Sequence, residues 1–201
     1  VNPDRKILIS KDKLKKIGIS DGILHNQASG IEIPSEYINT LKKLSSPKER
    51  VFGHIDGYPV GSNFDSRQHL SQCGVHRPTQ AGISGGADEG ADSIVLSGGY
   101  EDDVDNGNEI FYTGHGGQDR KSNTRKQTAD QKLTRQNLAI AKSKMLGLPI
   151  RVIRGHNSHS RNPQQKATSH YPEKGYRYDG LFYVDDYWIE HGISGFKVVR
   201  F

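Results

Sequence analysis

Cysteine is nearly absent: Cys73 is the one thiol among 201 residues. That excludes a disulfide framework and a cysteine-based zinc site, and it fits a reducing intracellular compartment. Long apolar runs are missing too, none approaching the roughly 20 residues that span a bilayer, and Val1 to Lys16 is too charged for a secretory leader. A soluble intracellular protein is the expectation. Hydrophobic residues make up only 32% of the chain and the mean hydropathy is -0.75, so a core must be assembled from short apolar clusters between polar turns.

What the chain has in quantity is glycine and positive charge. Its formal charge is +5, yet Glu101, Asp102, Asp103 and Asp105 share one loop, and with these four acids set aside the remainder carries +9. A remainder this basic suits a polyanionic partner. Residues 1–50 are rich in lysine, lack glycine doublets and end in Ser45-Ser46-Pro47-Lys48-Glu49-Arg50, which reads as a linker. The expected division is an N-terminal segment, 1–50, and a main domain, 51–201. Within the first, Pro34 can open a helix with Tyr37, Ile38, Leu41 and Leu44 on one face.

The main domain reads as strands and glycine-bearing turns. Ile94 to Leu96, Ile110 to Tyr112, Ile150 to Ile153, Leu181 to Val184 and Phe196 to Phe201 are the expected strands. One helix interrupts them, with Asp130 as its cap, Leu138, Ala141 and Met145 at helical spacing, and Gly147 and Pro149 ending it. Two long polar loops, Gly114 to Thr128 and Gly155 to His170, carry most of the remaining cations and histidines.

Catalytic and metal patterns fail on their chemistry. Counted from Glu101 as a calcium loop, the required glycine falls one place late at Gly107, and Tyr112 stands where a bidentate glutamate belongs. His156 and His159 lack a third ligand at a definite spacing, and His115 has no partner nucleophile. The stretch from Val95 to Gly117 is different. Tyr100 and Tyr112 offer two stacking faces, Asp103 an acceptor for an exocyclic amine, and Gly98 and Gly99 bare backbone N–H groups. Together they can grip a flat polar ring such as a nucleobase taken out of a duplex. The Gly74-Val75-His76-Arg77-Pro78 turn sets an apolar side chain beside a cation. It reads either as a wedge and a phosphate contact, or as a core valine next to a surface arginine.

Residues 51–201 resemble the SRA domain, also called YDG, a module that reads modified cytosine in DNA by base flipping. The likeness rests on Phe52-Gly53, Pro59-Val60-Gly61, Gly74-Val75-His76-Arg77-Pro78, Ser97-Gly98-Gly99-Tyr100-Glu101-Asp102-Asp103, Tyr112-Thr113-Gly114, Asp130 to Thr134, Val152-Ile153-Arg154, Tyr178-Asp179-Gly180 and Ser194-Gly195-Phe196, in family order. It implies an α+β fold, an SRA/PUA-like twisted β-barrel with flanking helices. By the same resemblance Tyr100 and Tyr112 sandwich the base, and Asp103 accepts from its N4 amine. Thr113 and the backbone of Ser97, Gly98 and Gly99 complete the polar contacts. Val75, flanked by His76 and Arg77, falls where the family inserts a thumb, and Asn123-Thr124-Arg125 where a finger enters from the other groove.

Ser97 stands where many relatives have alanine, so its hydroxyl is a candidate acceptor of 5-hydroxymethylcytosine beside 5-methylcytosine. The YDG residues read as a turn between strands. Gly53 to Val60, Gly82 to Asp92, Tyr112 to Gly117 and Leu148 to Gly155 resemble the bacterial branch, in which the domain precedes an HNH nuclease. The resemblance therefore implies the specificity half of a modification-dependent restriction endonuclease acting in the bacterial cytoplasm. This fragment would need no cofactor, a divalent metal serving only the nuclease part, and the full-length protein would be a homodimer. The alternative is a chromatin reader of methylated DNA without a nuclease, nuclear if eukaryotic.

Overall fold

The computed structural model describes residues 50–119, 126–156 and 170–201. In chain order these form β1 (Asn63–Phe64), α1 (Arg67–Gln72), β2 (Ile83–Gly86), β3 (Gly90–Leu96), β4 (Val104–Asp105), β5 (Ile110–Phe111), α2 (Gln136–Leu146), β6 (Ile150–Gly155), β7 (Tyr176–Phe182), β8 (Trp188–His191) and β9 (Lys197–Arg200). The chain divides into two units, Val1–Glu49 and Arg50–Phe201, and every described residue lies in the second.

The fold is α+β. One five-stranded sheet runs β1-β7-β6-β3-β2, and β4-β5 and β8-β9 form two-stranded ribbons. The β3–β6 pair is parallel, while β1–β7, β6–β7 and β2–β3 are antiparallel. β3 and β6 are buried along their whole lengths, which is why they read as nearly continuous apolar runs and not as an alternation. Their charged residues are paired. Asp92 on β3 meets Arg151 Nη2 at 3.3 Å on one oxygen and Arg50 Nη1 on the other. Arg151 also donates to the carbonyls of Val51, Gly53 and Val75.

Helix α2 departs from the sequence expectation at its start and in its buried face. Asp130 lies ahead of it and accepts from the Lys197 N–H at 2.8 Å, and the cap position belongs to Arg135, left-handed at φ 51°. Leu138 and Met145 are 38% and 71% exposed, and Ala139, Ile140, Ala141 and Ser143 face inward. The cause is close approach to the sheet. A Cβ on Gly85 of β2 would stand 2.9 Å from the Ala139 methyl, so only a small side chain fits at 139, and the Ser143 hydroxyl bonds both backbone groups of Ala91. Gly147, left-handed at φ 63°, ends the helix as expected.

Two apolar clusters fill the interior. Ile83, Ile94, Leu96, Ile140, Val152 and Val199 belong to the first, and Phe64, Leu70, Val75, Val95, Ile153 and Tyr178 make up the second. A cavity of about 300 Å³ opens beside the first, lined by Ile94, Ile140, Val152, Phe182 and Phe201 among others. The Tyr178-Asp179-Gly180 signature lies inside β7 and not in a turn. Ile153 pairs with Tyr178 and Val152 with Gly180, which leaves Asp179 as the extra residue of a β-bulge.

Candidate nucleic-acid interface

The acidic loop folds back on itself as the β4–β5 hairpin, held by only two ladder pairs, Val104↔Phe111 and Asp105↔Ile110. Asp105 Oδ1 accepts from the Gly107 N–H at 3.0 Å, and Asn106 N–H donates to the Glu109 carbonyl at 2.9 Å. Asp103 precedes the hairpin and Tyr112-Thr113 follow it. The Thr113 N–H donates to Asp103 Oδ1 at 2.8 Å and closes its base. From the far end of the chain, β9 fastens the second strand: Tyr112 and Phe201 exchange backbone bonds of 2.9 and 3.0 Å. Arg200 Nη1 donates to the Thr113 hydroxyl at 2.9 Å and to the Asp102 carbonyl.

This framing buries Asp103, which is 3% exposed. Burial raises its carboxyl to about 7, against the opposing pull of the Thr113 N–H and hydroxyl and of the Arg200 charge. Near neutral pH the side chain is therefore divided between an ionised form that only accepts and a neutral form that also donates. Burial, then the proximity of Asp103 and of Tyr100, hold the Tyr112 phenol well above its ordinary value. Tyr112 is itself 5% exposed and packed in the first apolar cluster, with Asp103 and Tyr100 near enough to act on its phenol.

Ser97 and Gly98 follow directly on β3, and Gly98 is left-handed at φ +69°. A Cβ at Gly99 would meet nothing within 4 Å, so ligand atoms can approach the backbone there. Tyr100 is half-buried, its hydroxyl accepting from the Gly116 N–H at 3.3 Å. Gln118 donates to the Gly99 carbonyl at 3.1 Å. The hollow between Gly98, Gly99, Tyr100, Gln118 and Gln127 measures about 20 Å³, room for a water and far too little for a base. The larger cavity contains Tyr112 but none of Ser97 to Tyr100 or Asp103.

The Gly74 to Pro78 turn requires a correction. Val75 is 0% exposed, packed in the second apolar cluster, and His76 is equally buried. A wedge must stand at the surface, and these two do not. His76 bonds Ser93 Oγ at 2.9 Å through Nδ1, and its Nε2 faces the Ala81 carbonyl at 2.9 Å. Burial and then the Arg67 charge hold its imidazole down to about 3, so it stays neutral. Arg77 is half-exposed, and the solvent-facing side chains are the next two along the chain, Thr79 and Gln80. Arg67 spans their base by donating to the carbonyls of Pro78 and Ala81. Asn123 and Arg125 lie outside the described residues.

Sequence reasoning missed Arg154 and Arg200, which hold the site from behind. Arg154 Nε and Nη2 each meet an Asp105 oxygen at 2.7 Å, and Nη1 meets Asp179 Oδ2 at 3.0 Å. The available signal was the pair of arginines in the apolar run Ile150-Arg-Val-Ile-Arg, since a cation in a buried strand needs a buried acid.

A family model described as the SAD/SRA domain matches residues 51–201. The chain belongs to the SAD/SRA family. Among solved relatives, the modification-dependent TagI restriction endonuclease is 46% identical with a TM-score of 0.67, the match covering 76% of this chain and 51% of that one. The SUVH5 SRA domain bound to fully hydroxymethylated CG DNA is 38% identical with a TM-score of 0.59, covering 75% of this chain and 90% of that one. Among curated proteins, the E3 ubiquitin-protein ligase UHRF1 of Xenopus tropicalis is 45% identical over 98% of this chain, and that of Danio rerio 38% over 98%. The chain spans about a quarter of those relatives' length, 26% in each case. Among the described residues of this SRA domain no helix is long and apolar enough to cross a membrane, and no cluster of three or more metal-ligating side chains is present.

Proposed function

We propose that this SRA domain binds duplex DNA and reads a modified cytosine turned out of the stack against Asp103, Tyr100 and Tyr112. The observation that carries the reading is the buried Asp103 carboxyl, raised to about 7 beside two tyrosines. The Thr113 N–H fixes Oδ1 as an acceptor, so the neutral form carries its proton on Oδ2: Oδ1 accepts from the cytosine N4 amine and the Oδ2 O–H donates to ring N3, whereas thymine would set O4 against the acceptor and N3–H against the donor. The solved complexes of the SUVH5 SRA domain with fully methylated and fully hydroxymethylated CG DNA support the ligand class.

Admission of the base requires Gln118 to leave the Gly99 carbonyl, because the hollow there holds about 20 Å³. The turn presents Thr79 and Gln80 to fill the vacated stack, and Arg77 binds an adjacent phosphate. Asn123 and Arg125 act from the second groove. Ser97 lines the wall that meets the 5-substituent, where one methyl contributes about 1 kcal/mol. Preference for 5-methylcytosine over cytosine is then modest, unless flipping adds to it, and the serine hydroxyl accommodates 5-hydroxymethylcytosine.

The likeness to the modification-dependent TagI restriction endonuclease supports a place as the specificity domain of such an enzyme; an HNH nuclease part, a bacterial cytoplasm, a homodimer and a metal needed only for cleavage belong to the same proposal. The likeness to the SUVH5 SRA domain, solved with methylated CG DNA, and to UHRF1, a ubiquitin-protein ligase, supports the second reading, a reader of methylated DNA without a nuclease. Titration of matched duplexes carrying cytosine, 5-methylcytosine or 5-hydroxymethylcytosine, singly or on both strands at fixed salt, tests the ligand. Equal affinity for all of them, with Asp103→Ala behaving as the parent chain, would overturn it. Cleavage of modified DNA by the full-length protein decides between the two settings.

A further inference from the structure

The YDG signature has no place in the base contacts, yet its aspartate is tied to the strand that carries Asp103. Two ladder pairs do not fix a hairpin in water, so β4 needs another anchor. Arg154 provides it, forked on Asp105 at 2.7 Å and 2.7 Å and donating to the Gly107 carbonyl at 2.6 Å. This fork lies two residues from Asp103.

Arg154 cannot hold that pose unaided. Its cross-strand partner on β7 is Arg177, a second cation in register beside it. Asp179 stands between them, accepting from Arg154 Nη1 at 3.0 Å and from Arg177 Nη2 at 3.1 Å and Nε. With Asp105 it balances the two arginines in a site where the Arg154 side chain is 6% exposed and Asp105 fully buried.

The backbone explains how Asp179 gets there. As the extra residue of the bulge, it is turned out of the regular ladder. Gly180 at φ +114° supplies a conformation that a side chain rarely adopts. Tyr178, fully buried, bonds His54 Nδ1 at 2.7 Å and seats the strand. Each letter of the signature has a separate task.

We propose that Asp179, acting through Arg154 and Asp105, is a positioning residue that sets Asp103 against Tyr112. The inference rests on the base-reading role of Asp103 proposed above. Tyr112 is fastened by its paired bonds with Phe201, just past β9, whereas Asp103, linked to that side through the Thr113 N–H and the Arg200 bond to the Asp102 carbonyl, depends on the truss for the placement of the strand that follows it. Loosening the Asp179 truss therefore shifts the carboxyl relative to the stacking face, so edge reading suffers while phosphate binding persists.

The test compares Asp179→Asn, Asp179→Glu, Arg154→Lys, Asp103→Ala and a control in the same strand, Tyr178→Phe, by melting temperature and by the ratio of affinities for 5-methylcytosine and cytosine duplexes. Asp179→Asn and Arg154→Lys should lower that ratio by up to about fivefold, the whole preference that one methyl supplies, with binding to unmodified duplex within about twofold of the parent chain. Asp179→Glu should restore part of the ratio. Tyr178→Phe, compared at matched distance below its own melting temperature, should keep it. If the ratio in Asp179→Asn and Arg154→Lys falls no further than in Tyr178→Phe, the truss is merely structural and the inference is wrong. Should Asp179→Asn not fold, Arg154→Lys and Asp179→Glu decide by the same criterion. Loss of the ratio in Asp103→Ala with full retention in the truss variants sinks the inference alone; retention in Asp103→Ala sinks the base-reading role itself.

Discussion

The raised carboxyl of Asp103 makes stability depend on pH in an unusual direction. In the unfolded chain the group titrates near its ordinary 3.8, and in the folded domain near 7. Between these values the folded state keeps a proton that the unfolded state has released, so stability is full below about pH 4 and declines as pH rises through 7. Three decades of proton activity at about 1.4 kcal/mol each give a ceiling of about 4 kcal/mol. Asp103→Asn keeps an oxygen for the Thr113 N–H and removes the titration. Urea unfolding of both proteins, from pH 4 to pH 8.5, isolates this one group in the difference of their free energies. The variant should gain on the parent chain by several kcal/mol toward pH 8 and level off above it. A difference that stays flat across this range would show that Asp103 ionises well below 7 and that no neutral carboxyl exists to donate to a base.

Val75→Ala should lower stability by about 2 kcal/mol, from two lost methyl groups and the void behind them, with preference for modified DNA retained; Gln80→Ala should do the reverse. Melting curves and duplex titrations separate the two. Arg77→Ala should weaken cytosine and 5-methylcytosine duplexes alike and reduce the slope of log affinity against log salt by about 1. Arg151→Met should cost about 3 kcal/mol or more in denaturant unfolding, because it strips Asp92 of a buried partner and frees three carbonyls. An effect within experimental error would mean that Arg50 alone compensates Asp92.

Much of this was legible in the residues. The apolar runs at Ile94 to Leu96 and Ile150 to Ile153 lie in the two central strands, since strands buried on both faces show their burial as composition. Gly147 and Pro149 marked the helix end for a local reason, the left-handed cap. The start of α2 was illegible because tertiary contacts decided it: Asp130 is spent on the Lys197 N–H and the buried face is set by Gly85 across the interface. At the site, Asp103, Tyr100 and Tyr112 are near one another along the chain, so spacing was enough to group them. Val75 was ambiguous by its nature, since a valine beside an arginine suits both a wedge and a core, and only its lack of exposed surface resolves it. The YDG residues suggest a turn in sequence because aspartate and glycine together usually make one. A bulge uses the same backbone freedom without reversing the chain.

The parallel pairing of β3 with β6 has a consequence for how such a domain can diversify. Both ends of this pair are buried framework, while the hairpin with Asp103, the 116–118 segment and α2 all lie on the connection between them. A parallel connection has no tight length limit, so residues can be added to or removed from this excursion without shifting the register Ser93↔Arg151 to Leu96↔Arg154. A circular permutant opened at the exposed Gly61 should keep the excursion whole and remain competent to fold. One opened at Gly107 would divide the reading hairpin from its own second strand. The central ladder thus acts as a chassis, and the connection as the interchangeable part.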